Sequence, residues 1–375
     1  MRWIALGGGI ILVASTIASV ISSFVVPRDT PSRIAGWVAR PFVAFFRRVS
    51  RVFKTWESKD AFLAFHAPTF VLVLLMTWLA LLLLGFAAIL WAVTGLDIGT
   101  AFRETASSMF TLGFATTPTP GATAVDILAA GFGLGVVALL IGYLPVLYAA
   151  FNRRERLVTL LEARAGAPAW GPEILWRHQR IGILDSIPAF YEEWERWAAD
   201  VAESHSAYFV LPFFRSPHPL RSWLTGLLAV LDAAALHMAL CPATAPSQAR
   251  LCLRMGFTCL RTLADTFYIP YDPDPRPDAP LVISYEDFLH GVTHLQEIGF
   301  PVERTAEEAW ADFRGWRVNY ESTALALAEL VVATPGPWMG GRVEGLTIPT
   351  KRPVDRTPDE PEGTEYTRPW THETS

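Results

Sequence analysis

The chain has 375 residues, 51% of them hydrophobic, with a mean hydropathy of +0.30 and a net charge of −5. That length and hydropathy suit a membrane unit joined to a water-soluble one. Cys241, Cys252 and Cys259 are the only cysteines; they form neither a CxxC pair nor an even set, which excludes a disulfide framework and a thiolate metal cluster.

Residues 3–26 are the first apolar run. The run is longer than the roughly 7–15 residues of a secretory h-region and lacks a small-x-small exit, so an uncleaved membrane helix is expected. Two further apolar runs, 68–93 and 125–151, each exceed the roughly 20 residues that cross hydrocarbon. Between the first and second runs lie Arg28, Arg33, Arg40, Arg47, Arg48, Arg51, Lys54 and Lys59. The positive-inside rule makes that loop cytoplasmic. The N-terminus is then outside, and the third run leaves inward beside Arg153, Arg154 and Arg156. Val38, Phe42, Phe45, Val49, Val52 and Trp56 recur at helical spacing within the basic loop. Such a helix lies in the headgroup plane, as a lever on the next span or as an anchor to anionic lipid.

Between the second and third runs, residues 97–110 predict a short amphipathic helix with Ile98, Phe102, Ala106, Met109 and Phe110 on one stripe. Its C-terminal end would offer cations the negative pole of a helix dipole. Thr111-Leu112-Gly113-Phe114-Ala115 follows, with one glycine free to take a positive φ, and residues 116–121 form a Pro- and Thr-rich turn. A polar hairpin at membrane depth survives only where protein or a water-filled cavity satisfies its backbone.

In this order of elements the chain resembles the potassium channel family, with its outer helix, pore helix, filter and inner helix. Thr111, Leu112, Gly113, Phe114 and Ala115 stand where that family carries its TVGYG filter. Ala115 replaces the second glycine and Phe114 lacks the tyrosine hydroxyl that braces the filter. The resemblance covers about residues 65–160. It implies conduction of monovalent cations, K+ among them, through a homotetramer, because one loop cannot surround an ion. Gly131, Gly133, Gly135, Gly142 and Pro145 in the third run match the family's bending inner helix, and Gly135, Gly142 and Pro145 are the candidate gating hinge. No helix carries Arg at every third position, which argues against voltage sensing by gating charges.

Downstream, helices are predicted over 187–203, 219–240, 248–267, 285–298 and 306–332, with capping boxes at Ser284/Asp287 and Thr305/Glu308. Residues 223–240 are apolar, but Asp232 and His237 within them favour a buried helix of a soluble bundle over a further span. Glu203, His205, His218 and His237 raise the idea of a metal site, yet compact ligand spacing is missing, and no metal or cofactor is expected.

The expected architecture is therefore an all-α membrane protein. Its parts are an N-terminal transmembrane helix (1–27), a basic amphipathic segment (28–64), a pore module with a re-entrant loop between the second and third transmembrane helices (65–160), a cytosolic helical domain (170–340) and a disordered tail (341–375). The expected activity is cation conduction across a bacterial plasma membrane, without catalysis and without a nucleic-acid partner. Two rivals stand beside it: a non-conducting membrane anchor whose cytosolic helices recruit a partner, and a tethered enzyme using the His205 and His218 region.

Overall fold

A computed structural model describes residues 1–24 and 32–340. Arg28 of the basic loop and the tail expected to be disordered, 341–375, lie outside the described residues. Among the described residues all regular structure is helical, and it divides into two units: 1–48 with 65–149, and 49–64 with the chain from 150 onward.

The first unit holds α1 (Arg2–Phe24), α2 (Arg33–Ser50), α4 (His66–Thr94), α5 (Ile98–Met109) and the first part of α6 (Pro120–Ala165). α1 and α4 pack antiparallel through small residues. A Cβ on Gly9 would lie 2.8 Å from the Gly85 carbonyl oxygen, so the two backbones touch at a distance only glycine allows. Farther along, Trp78 Nε1 donates to Ser19 Oγ at 2.9 Å. At the other end Gly95, with φ of 77°, closes α4 and the Arg2 guanidinium packs against it. A cation there complements the helix's negative pole.

α1, α4 and α6 are long and apolar enough to cross a membrane. α6 buries one residue in every three or four: Ala122, Val125, Ala129, Val136, Leu140, Tyr143 and Leu147. The rest of its surface stays open, including Ile127, Leu134 and Ile141, each more than 60% exposed. Apolar side chains are stable in that position when the surroundings are lipid or further protein.

The second unit begins with α3 (Trp56–Ala64). The apolar stripe read through Val38, Phe42, Phe45, Val49, Val52 and Trp56 is therefore broken. α2 stops at Ser50, Phe42 packs on His66 and Phe70 in the first unit, and Trp56 is fully buried in the second, its Nε1 donating to the Pro219 carbonyl at 2.6 Å. The basic segment is thus split between two folding units.

The remaining helices are the end of α6, α7 (Gly171–Arg180), α8 (Ile187–Ala207), α9 (Trp223–Leu240), α10 (Ser247–Thr266), α11 (Tyr285–Glu297), α12 (Ala306–Arg317) and α13 (Glu321–Val331). Both predicted capping boxes form, on α11 and α12. The stretch read as one helix over 306–332 is two, with Val318, Asn319 and Tyr320 between α12 and α13.

α9 is a fourth helix apolar enough to span a bilayer. It is wrapped by α7, α8, α10, α12 and α13, and all its residues except Met238 are buried. Such enclosure leaves no face for lipid. Asp232, inside it, accepts from Arg317 Nη1 at 2.5 Å and from Tyr320 at 2.8 Å, while Arg317 Nε donates to Glu321 at 2.8 Å. Burial pushes the Asp232 carboxyl up to about 6, with Arg317 and Tyr320 pulling it back. For Arg317 burial alone would lower the guanidinium's pKa; Asp232, Tyr320 and Glu321 outweigh it and hold it above the ordinary range.

Candidate functional site

Asp97 starts α5 as its N-cap, accepting from Thr100 N at 3.0 Å and from the Thr100 hydroxyl at 2.5 Å. Such a cap satisfies a free amide of the first turn. The apolar stripe is not the buried face of this helix. Ile98 is 71% exposed, Phe102 and Phe110 are also exposed, and the buried face consists of Ala101, Glu104, Thr105, Ser107 and Met109. Of the predicted stripe, Met109 alone is buried and Ala106 is intermediate.

The reason is visible in the loop that follows, because its backbone needs acceptors that apolar side chains cannot supply. Thr111 N donates to the Ser108 carbonyl at 3.0 Å, and Leu112 N and Gly113 N donate to the Ser107 carbonyl at 2.8 and 3.4 Å. Phe114 N and Ala115 N donate to Ser107 Oγ at 2.9 and 3.1 Å. Two residues on, Thr117 N and its hydroxyl both bind the buried Glu104 carboxylate, at 2.8 and 2.6 Å. Ser108 Oγ donates to Asp126 of α6 at 2.8 Å.

Five successive amides, 111–115, thus turn toward the end of α5. Successive N–H groups converging on one acceptor make a nest, and here a serine carbonyl and hydroxyl fill it. Thr111 and Gly113 both have positive φ, 55° and 69°. The glycine was expected to; the threonine was not, and a left-handed non-glycine costs about 1–2 kcal/mol. Ala115, read as standing where a left-handed glycine is needed, does not take that conformation. Among the described residues no donor reaches the carbonyl oxygens of residues 111–116. The side chains beside them are open, with Leu112 61% and Phe114 54% exposed. The negative pole of α5 is partly occupied by the loop itself, since the Ser107 and Ser108 carbonyls are taken by these amides.

α6 approaches the end of α5 closely at Gly133, where a Cβ would lie 2.7 Å from the Met109 carbonyl oxygen. The hinge candidates are placed differently. α6 runs unbroken through Gly135, Gly142 and Pro145, and nothing lies within 4 Å of a Cβ built on Gly135 or Gly142. Pro145 is exposed.

The residues weighed as metal ligands do not converge. Glu203 and His218 are exposed. His205 is fully buried, with Nε2 3.1 Å from Arg154 Nη1 and Nδ1 3.0 Å from Ser204 Oγ. Burial, and then the Arg154 charge, hold His205 well below the usual imidazole range, so it is neutral near pH 7. His237 lies apart, 3.4 Å from the Tyr191 hydroxyl and packed on Phe300. The unusual text of residues 203–219 serves Arg154, whose guanidinium also donates to the carbonyls of Leu211 and Phe214 at 3.1 and 2.7 Å. Among the described residues no group of three or more His, Cys, Asp or Glu could hold a metal ion.

Glu104, Ser107, Ser108, Thr117 and Asp126 were given no role by sequence reasoning. The available signal was their spacing: Glu104, Ser107 and Ser108 fall at i, i+3 and i+4, one face of a helix in a chain region otherwise apolar. The chain matches no protein-family model, no curated protein and no solved structure.

Proposed function

We propose that the protein is a potassium channel-like cation channel of a bacterial plasma membrane, with its N-terminus outside and the second unit cytoplasmic. In this reading Thr111–Ala115 coordinate monovalent cations through their carbonyl oxygens, and four copies surround one axis. The observation that carries it is the set of tethered amides at 111–115, which leaves the carbonyls of the same residues without donors beside long apolar helices. Burying an unpartnered polar group costs roughly 1–3 kcal/mol in proteins and more in hydrocarbon. A partly dehydrated cation offset against such oxygens removes that cost. The left-handed Thr111 supports the same reading, since backbone strain of this kind is sustained where surrounding contacts enforce it. The second unit, attached through the continuous α6, would act on opening through Gly135, Gly142 and Pro145.

Purified full-length protein in liposomes tests this. Potassium flux in excess of sodium flux is expected, with Gly113→Asp abolishing it while leaving the oligomer intact. A wild-type protein that migrates as a monomer and leaves the liposomes impermeable to K+, Na+ and Rb+ overturns the proposal.

A further inference from the structure

Ser107 and Glu104 hold the backbone of the loop, but the Phe114 side chain projects out of that scaffold and is 54% exposed. Its ring has one charged neighbour. The Arg103 guanidinium carbon lies 5.3 Å from the ring centroid. Arg103 is itself exposed, and among the described residues no carboxylate stands within ion-pair reach of it. The face of an aromatic ring is a partner for a guanidinium that needs no opposite charge.

We infer that Arg103 is a positioning residue, whose guanidinium stacks on Phe114 and keeps the Phe114 and Ala115 amides on Ser107. Arginine suits this task better than lysine because its planar, weakly hydrated head covers a ring, whereas an ammonium is a compact, strongly hydrated point charge. The tether stands on geometry alone; its consequence for ion passage rests on the channel reading above.

Two readouts on the full chain in liposomes keep the two ideas separate. Hydrogen–deuterium exchange of peptides spanning 108–117 reports the tether without requiring flux. Arg103→Gln and Phe114→Leu are each expected to speed exchange at 112–115 by about threefold to tenfold. Arg103→Lys is expected to fall between Arg103→Gln and wild type, Phe114→Tyr to match wild type, and the double variant Arg103→Gln/Phe114→Leu to exchange no faster than either single one. Peptides of α9 serve as the folding control and should not change. Loop exchange in Arg103→Gln equal to wild type, or effects that add in the double variant, overturns the inference. The second readout is the K+ to Na+ flux ratio. Faster loop exchange in a protein whose wild type carries no ions sustains the tether and removes the channel; selective wild-type flux with unaltered loop exchange in Arg103→Gln does the reverse.

Discussion

The helices α5, in the first unit, and α9, in the second, treat polarity in opposite ways. Around α5 the polar residues Glu104, Thr105 and Ser107 are inside while Ile98, Phe102 and Phe110 are outside. Around α9 the aliphatic residues are inside, together with Trp170, Trp194 and Trp223, and the acids admitted to that core, Asp232 and Glu321, share the Arg317 guanidinium. The same amino acids are thus sorted differently around the two helices. Water rewards burying apolar area at roughly 25 cal/mol per Å², whereas lipid offers no such reward and instead penalises every exposed backbone or side-chain polar group.

The largest expected effect sharpens this contrast in the second unit. Arg317→Met leaves Asp232 and Glu321 buried without their cation, which costs about 3–5 kcal/mol. Denaturant unfolding followed by tryptophan fluorescence should show that loss, with Asp232→Asn in the same chain recovering part of it; a change under about 0.5 kcal/mol would mean the triad is not what holds α9 to α12. A somewhat smaller effect tests the first unit. Ile11, 71% exposed on α1, would be an indifferent surface position in water, where substitutions stay within about 0.5 kcal/mol. In lipid, Ile11→Asp costs about 2.5–3.5 kcal/mol of insertion free energy. Membrane-fraction recovery after alkaline extraction distinguishes the two, and a variant as firmly embedded as wild type would break the comparison.

The smallest effect concerns the polar interior of the first unit. Glu104→Gln keeps an acceptor for Thr117 but removes its charge, and charge-assisted bonds exceed neutral ones by about 1 kcal/mol. Exchange at the Thr117 amide should quicken by about fivefold, and Glu104→Ala should exceed it. Equal protection in all three proteins would mean that Glu104 does not hold the loop.

Much of this architecture was legible in the linear pattern. The apolar runs at 3–26, 68–93 and 125–151 lie within or overlap α1, α4 and α6, and Ser284 and Thr305 mark the starts of α11 and α12. Caps and continuous apolar runs are local, so neighbouring residues suffice to reveal them. α7 escaped notice because it is short, begins at Gly171-Pro172 and mixes buried Glu173 and Arg177 into its inner face. The break between Arg317 and Glu321 escaped too, since an apolar period continues across it while the Arg317 bonds to Asp232 and Trp338 fix the first helix's end. Within the loop, Gly113 was legible as a positive-φ residue. Thr111 was not, because a non-glycine enters that region only when contacts from elsewhere hold it there.

By itself the amino-acid order determined the apolar runs that lie in α1, α4 and α6, the capped starts of α11 and α12, and the polar loop that joins α5 to α6. Periodicity and capping are encoded within a few residues, so no fold is needed to express them. Only the tertiary structure decided which side of α5 faces inward, that Ser107 gathers the loop amides, and that Arg154 draws residues 203–219 around itself. Those outcomes depend on acceptors brought together from separate helices and on the solvent each face meets. Neither is written in the spacing of a single segment.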